Sequence, residues 1–242
     1  MEPLLIIGVA VAALAASIMG GIAGIGTAIA MIPVLTFALG VREAIPIITV
    51  AMLFNNLSRW WVNRADTDYR AVRWFAIAAV PTAALGGTVF ANAPADLLAK
   101  GLGVFLIALV VYRRLPIGRS WRMSNPRGFT AVGGVQGFLS GIFGAAGPFG
   151  AHFFLSYGLR RNAFVGTTAL ATTSINLAKT GAYSSFALLS WSALGIAVGI
   201  GIIMTAGAYL GGLLVRRTPE RLFVFIVEGV MIGAGVSLLV QS

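Results

Sequence analysis

The sequence predicts an all-α polytopic membrane protein built from two inverted-topology repeats with Gly-rich broken or re-entrant helices. Three observations lead there. Hydrophobic residues make up 58% of the 242 positions and charged ones 10%, with a mean hydropathy of +0.93, whereas a soluble domain has about 45–50% apolar and about 25% charged residues. Polar breaks cut the chain into ten apolar segments. Two stretches read as one unit written twice, each opening on a Gly-rich break and each carrying Asn-x-x-cation inside an apolar segment.

Taken in order, the segments lie near 4–19, 27–39, 44–63, 70–91 and 95–112, then 128–143, 147–158, 162–188, 191–215 and 219–240. The first lacks a basic leader and a convincing cleavage motif, which favours retained structure over a signal peptide. Segments 27–39 and 147–158 are only about 12–13 residues, near 18–20 Å as helix, short of a hydrocarbon core of about 30 Å. They read as re-entrant or as tilted spans, and the spacing alone leaves both open. The expected organisation is a first membrane repeat over 1–114, a basic cytoplasmic linker over 115–127 and a second membrane repeat over 128–242.

The repeat holds at five points. Gly21-x-x-Gly24 matches Gly141-x-x-Gly144, Asn56-Leu57 matches Asn176-Leu177, Arg59 matches Lys179, Leu85-Gly86-Gly87 matches Leu210-Gly211-Gly212, and Pro94 matches Pro219. The copies lie about 120 residues apart, drifting by a few loop insertions. Charge placement supplies their orientation. Thirteen of the seventeen basic residues fall in alternate loops: Arg64, Arg70 and Arg73; Arg113, Arg114, Arg119, Arg122 and Arg127; Arg160 and Arg161; Arg216, Arg217 and Arg221. By the positive-inside rule those loops are cytoplasmic, so both termini face outward. Five segments per half is an odd number, so the second half enters the membrane from the opposite side.

Each short segment follows a glycine-rich junction, Gly20 to Gly26 in the first half and Gly141 to Pro148 in the second. Glycine admits close backbone approach and positive φ, and a new helix start presents free N–H groups and a positive dipole end, so such a junction favours anions. Gly24, Gly26, Gly144 and Gly147 are therefore candidate lining. Other small-x-x-x-small pairs read as helix packing: Gly133, Gly137 and Gly141; Gly195 with Gly199; Gly207 with Gly211; Gly229 with Gly233.

A basic residue at a membrane helix centre costs about 2.5–3.5 kcal/mol on insertion scales, so Lys179 needs a partner. The only acid deep in an apolar segment is Glu228, and the excess of buried positive charge points to a small anion as the missing partner. Arg59, close to the end of its segment, is either a second contact or a snorkelling side chain. Asn56 and Asn176 share a helix face with these cations and can donate to anion oxygens or cap broken backbone. Thr49, Thr167, Thr168, Thr172, Thr173 and Ser174 add hydroxyls, which in helices more often bond their own backbone. His152, the only histidine, is a candidate anion donor or proton carrier. Glu228 is a candidate for a coupled proton or a neutraliser of Lys179; Gln136 and Lys100 are weaker candidates.

These residues resemble the TauE/SafE family of sulfite exporters, whose two related halves each open on a G-x-x-G-x-G-G-G-like motif followed by proline. The matching positions are Gly21, Gly24 and Gly26 with Pro33, and Gly141, Gly144, Gly147 and Pro148; Thr27, Ala28, Ala145 and Ala146 depart from the pattern. The resemblance spans nearly the whole chain and implies transport of sulfite, sulfonates or other organosulfur anions across the cytoplasmic, or inner, membrane. The buried charges by themselves imply only a small anion. The combined expectation is a secondary carrier whose halves rock about a midplane site, with an anion channel or a non-transporting membrane subunit of a larger complex as alternatives.

Several classes are disfavoured. There is no cysteine for a disulfide, thiolate metal site or nucleophile. A single histidine cannot build a metal site, and no G-x-x-x-x-G-K-[ST] loop is present for ATP. No cluster of His, Asp or Glu suggests an enzyme, and nothing calls for a cofactor. The net charge of +10 sorts by membrane side, so the expected partners are a small anion and the lipid bilayer, and not nucleic acid.

Overall fold

The computed structural model describes residues 3–23, 27–114, 123–214 and 220–240. Among the described residues there are ten α-helices and no strand: α1 Pro3–Ala23, α2 Thr27–Leu39, α3 Val41–Val62, α4 Tyr69–Asn92, α5 Ala95–Arg114, α6 Phe129–Phe143, α7 Gly147–Ser156, α8 Arg161–Ser185, α9 Trp191–Leu214 and α10 Glu220–Val240. Each coincides with one of the ten apolar segments, and the protein is an all-α polytopic membrane protein. Local chemistry sets several boundaries. The Asp68 side chain accepts from Ala71 N–H to start α4, an N-cap bond that satisfies one of the donors a helix start leaves free. Gly144, at φ +86°, ends α6 in a left-handed turn that only glycine adopts without strain.

Among the described residues, 69–92, 95–112 and 191–211 are helical stretches long and apolar enough to cross a membrane unaided. Helices α3 and α8 are as long, at 22 and 25 residues, but turn polar residues inward. Asn55, Asn56, Thr167, Asn176 and Lys179 are all buried, while Ile77, Leu97, Val104 and Ile202 face outward and are more than half exposed. This inside-out distribution suits a lipid surround, where the polar groups are satisfied only within the protein. Helices α2 and α7 have 13 and 10 residues, about 20 and 15 Å, too short to span about 30 Å of hydrocarbon.

Helix contacts recur at a spacing of five helices. The broad contacts α4–α6 and α1–α9 exchange when each helix is replaced by the one five places along, as do α3–α9 with α4–α8, α2–α3 with α7–α8 and α1–α2 with α6–α7; α3–α8 and α5–α10 map onto themselves. The two packed cores, however, do not coincide with the two halves. One is drawn mainly from α1, α2, α3, α5, α9 and α10, the other from α4, α6, α7 and α8.

The closest crossings use glycine to bring backbones together. On α6, Gly133, Gly137 and Gly141 sit against the backbone of Phe75, Ala79, Ala83 and Gly86 on α4. On α9, Gly207 and Gly211 sit against Leu14, Ser17 and Ile18 of α1. These are the expected small-residue contacts. The other two expected pairs are not. Gly195, Gly199, Gly229 and Gly233 face open space, while on the same helices Gly201 packs against Ala51 and Phe54, and Gly235 against Gly103 and Ile107. A four-residue spacing names a helix face, and only the tertiary arrangement decides which face is covered.

Candidate functional site

The second glycine junction is a break between two helices. The α6 helix ends with Gly144 N–H bonded to Ser140 O at 2.9 Å, the chain turns through Ala145 and Ala146, and α7 begins at Gly147 with Pro148 in its first turn. Proline fits there because the first N–H groups of a helix have no intrahelical acceptor. The remaining free N–H groups and the positive dipole end lie at the junction. Directly across from it are the start of α2, at Thr27, and the inner face of α3.

Between these elements is a cavity enclosing about 680 Å³ of space, part of it open solvent. From the first half it is lined by Thr27, Met52, Asn56 and Arg59, and from the second by Gln136, Ser140, the 144–148 turn, Phe154, Thr168, Thr172 and Asn176. The site thus joins α2 and α3 of one core to α6, α7 and α8 of the other. Among the described residues its lining holds no carboxylate.

Hydrogen bonding gives the cavity a sign. Asn56 and Asn176 are each 2% exposed, and the Nδ2 of each has no acceptor. A buried donor left unsatisfied costs about 1–3 kcal/mol, so both carboxamides are set to receive an acceptor. Thr168 and Thr172 behave differently. Their hydroxyl protons go to Phe164 O at 2.6 Å and Thr168 O at 2.8 Å, leaving only lone pairs for the cavity. Thr49, Thr173 and Ser174 likewise donate to the backbone of their own helix, whereas Thr167 accepts from Asp68 N–H at the start of α4. The unsatisfied donors at the cavity are therefore the two asparagines, beside the α7 N-terminus and the Arg59 guanidinium, which also lines it. Gln136 Oε1, buried without a donor, is the one orphaned acceptor among the described residues of the lining. The donors outnumber it, which favours an anion.

Of the candidate residues, the cavity collects Asn56, Arg59, Gly144, Gly147 and Asn176, and the weaker candidate Gln136. Gly24 and Gly26 lie outside the described residues. Three others are placed away from the lining. His152 is on α7, its ring edge-on to Phe153 at 6.0 Å. Lys179 is fully buried, with its ammonium on Gly144 O at 2.6 Å and Ser140 Oγ at 3.2 Å. Glu228 is paired with Arg114 on α5, at 2.6 Å, so it neutralises that arginine and not Lys179. Lys100 is exposed. The sequence reading missed Ser140, a lone serine in a glycine-rich helix with nothing to mark it, and Thr27, which it noted only as a departure from a glycine motif.

Comparison with known families adds the deciding observation. The family model described as Sulfite exporter TauE/SafE matches residues 9–238. The chain belongs to the TauE/SafE family. That match covers both glycine junctions and both asparagine helices, so the cavity lies wholly within the TauE/SafE region. No curated protein and no solved structure matches this TauE/SafE chain.

Proposed function

We propose that this TauE/SafE protein is a secondary transporter that moves a small anion, a sulfite, sulfonate or other organosulfur anion, across the cytoplasmic membrane by alternating access. The observation that carries the proposal is the convergence of Asn56 Nδ2 and Asn176 Nδ2, both buried without an acceptor, with Arg59 and the α7 N-terminus on one cavity. An anion supplies the acceptor that each asparagine lacks, next to the positive end of α7. The family supplies the sulfur chemistry. In this reading the second copy is inverted with respect to the first, and the parts that move are the two packed cores, each with helices from both halves, with the cavity between them.

The test is thermal-shift screening of the purified protein against sulfite, sulfate, thiosulfate, C2 and C3 sulfonates and matched carboxylates. Saturation at about 100 times Kd should add about 2.7 kcal/mol of stability. Asn56→Ala and Asn176→Ala are each expected to raise the Kd of the stabilising anion roughly 10- to 100-fold, since a hydrogen bond to a charged group contributes about 1.5–3 kcal/mol. A folded variant that binds as wild type would remove that asparagine from the site. Saturable, trans-stimulated flux in proteoliposomes distinguishes a carrier from a channel.

Topology gives a separate expectation. Reporter tags at Met1 and Ser242 should both register the outer face and a tag between Arg113 and Arg127 the cytoplasm, because that segment carries five arginines and no acid. A terminus found inside would break the ten-segment inverted arrangement.

A further inference from the structure

Lys179 lies one turn beyond Asn176, yet its side chain leaves the cavity to its neighbour and runs to the end of α6. Its ammonium donates to Gly144 O at 2.6 Å and Ser140 Oγ at 3.2 Å. One turn further along α8, the Tyr183 hydroxyl donates to Gly141 O at 2.7 Å. All three acceptors belong to the last turn of α6 or to its glycine cap. A helix leaves its last four carbonyls without intrahelical donors and carries about half a negative charge there. The α6 terminus therefore compensates a buried ammonium in the way a carboxylate would, which explains how Lys179 is accommodated with Glu228 occupied elsewhere.

The same junction starts α7 three residues later, with about half a positive charge at its N-terminus. Two opposite poles thus adjoin the cavity, since Gly144 and Gly147 both line it. Left bare, the α6 pole would offset the α7 pole at a bound anion. The geometry points to Lys179 as a positioning residue: it caps the C-terminus of α6, fixes the left-handed Gly144 turn, and leaves the α7 N-terminus as the dominant pole facing the anion, without touching the anion itself. The inference rests on the anion reading of the cavity for its effect on binding, but its structural half stands apart from that reading.

The experiment compares wild type, Lys179→Gln and Tyr183→Phe by hydrogen exchange of residues 140–150 without anion, and by sulfite affinity. Lys179→Gln is expected to speed exchange across 145–150 at least tenfold and to raise the sulfite Kd at least tenfold. Tyr183→Phe keeps the charge and should change Kd less than threefold. Weakened sulfite binding with unchanged exchange would mean direct contact and overturn the assignment, as would unchanged affinity in a folded Lys179→Gln. Should that variant not fold, acetylation of wild-type Lys179 by acetic anhydride decides. Slow reaction with and without sulfite supports the cap, while ready reaction, protected by sulfite or not, overturns it. If wild type binds neither sulfite nor the sulfonates, the anion reading fails, and exchange alone decides whether Lys179 holds the junction.

Discussion

Gly144→Val is expected to abolish transport while leaving a folded protein. Gly144 sits at φ +86°, where a side chain adds roughly 1–3 kcal/mol of backbone strain. A Cβ there would lie 3.2 Å from Ile32 Cδ1 and 3.4 Å from two carbons of Ile45, tight but against movable side chains. The total cost is below a typical stability of about 5–15 kcal/mol, so the fold should persist. The junction should not, because the carbonyl held by Lys179 and the first N–H groups of α7 are fixed by this turn. Added substrate should not restore flux. Gly24→Val, at the position that the sequence aligns with Gly144, is expected to act alike. Flux per folded molecule in proteoliposomes checks both, and normal flux from the Gly144 variant would sink the assignment of the junction to the site.

The opposite outcome is expected for Gly137→Leu, which should deplete folded protein with residual flux in proportion to what folds. A Cβ at Gly137 would meet Ala79 O, with Thr82 Oγ1 at 2.5 Å and Ala79 Cα at 2.9 Å. Backbone cannot swing aside as a side chain does, so α4 and α6 must separate along their length. Overpacking costs about 1–3 kcal/mol where neighbours can shift, and this site lacks that relief. Gly199→Leu is the control. It faces open space and should leave monodisperse yield and melting temperature near wild type. Equal yields from the two variants would mean that the α4–α6 crossing is not close.

The helices were legible in the sequence because hydrophobic runs, glycine breaks and arginine-rich loops are local signals, and all ten segments coincide with helices within a few residues. The two asparagines were legible because a carboxamide repeated at the same place in both halves stands out against an apolar background. The environment of Lys179 was not. The reading gave it a small anion as partner, whereas its ammonium bonds the Gly144 carbonyl and the Ser140 hydroxyl at a helix end, which no residue type announces. Nor did four-residue spacing distinguish Gly137, which packs, from Gly199, which does not, since the choice depends on which helix arrives on that face. The pairing of α4 with α6 and α1 with α9 is of the same kind, being a property of the assembled bundle.

That exchange of helices bears on how the chain is made. During synthesis α4 is complete before α6 exists, and the face of α4 that receives Gly133, Gly137 and Gly141 must wait in the bilayer or against the insertion machinery for a helix on the far side of the arginine-rich linker. Helix α1 waits longer still, for α9. The first five helices therefore insert as an unfinished surface whose polar interior, Asn55 and Asn56 included, is closed only by later translation. Ribosome stalling before α6 is made would then leave that face of α4 uncovered. Two separately expressed halves should recover function only when made together in one membrane.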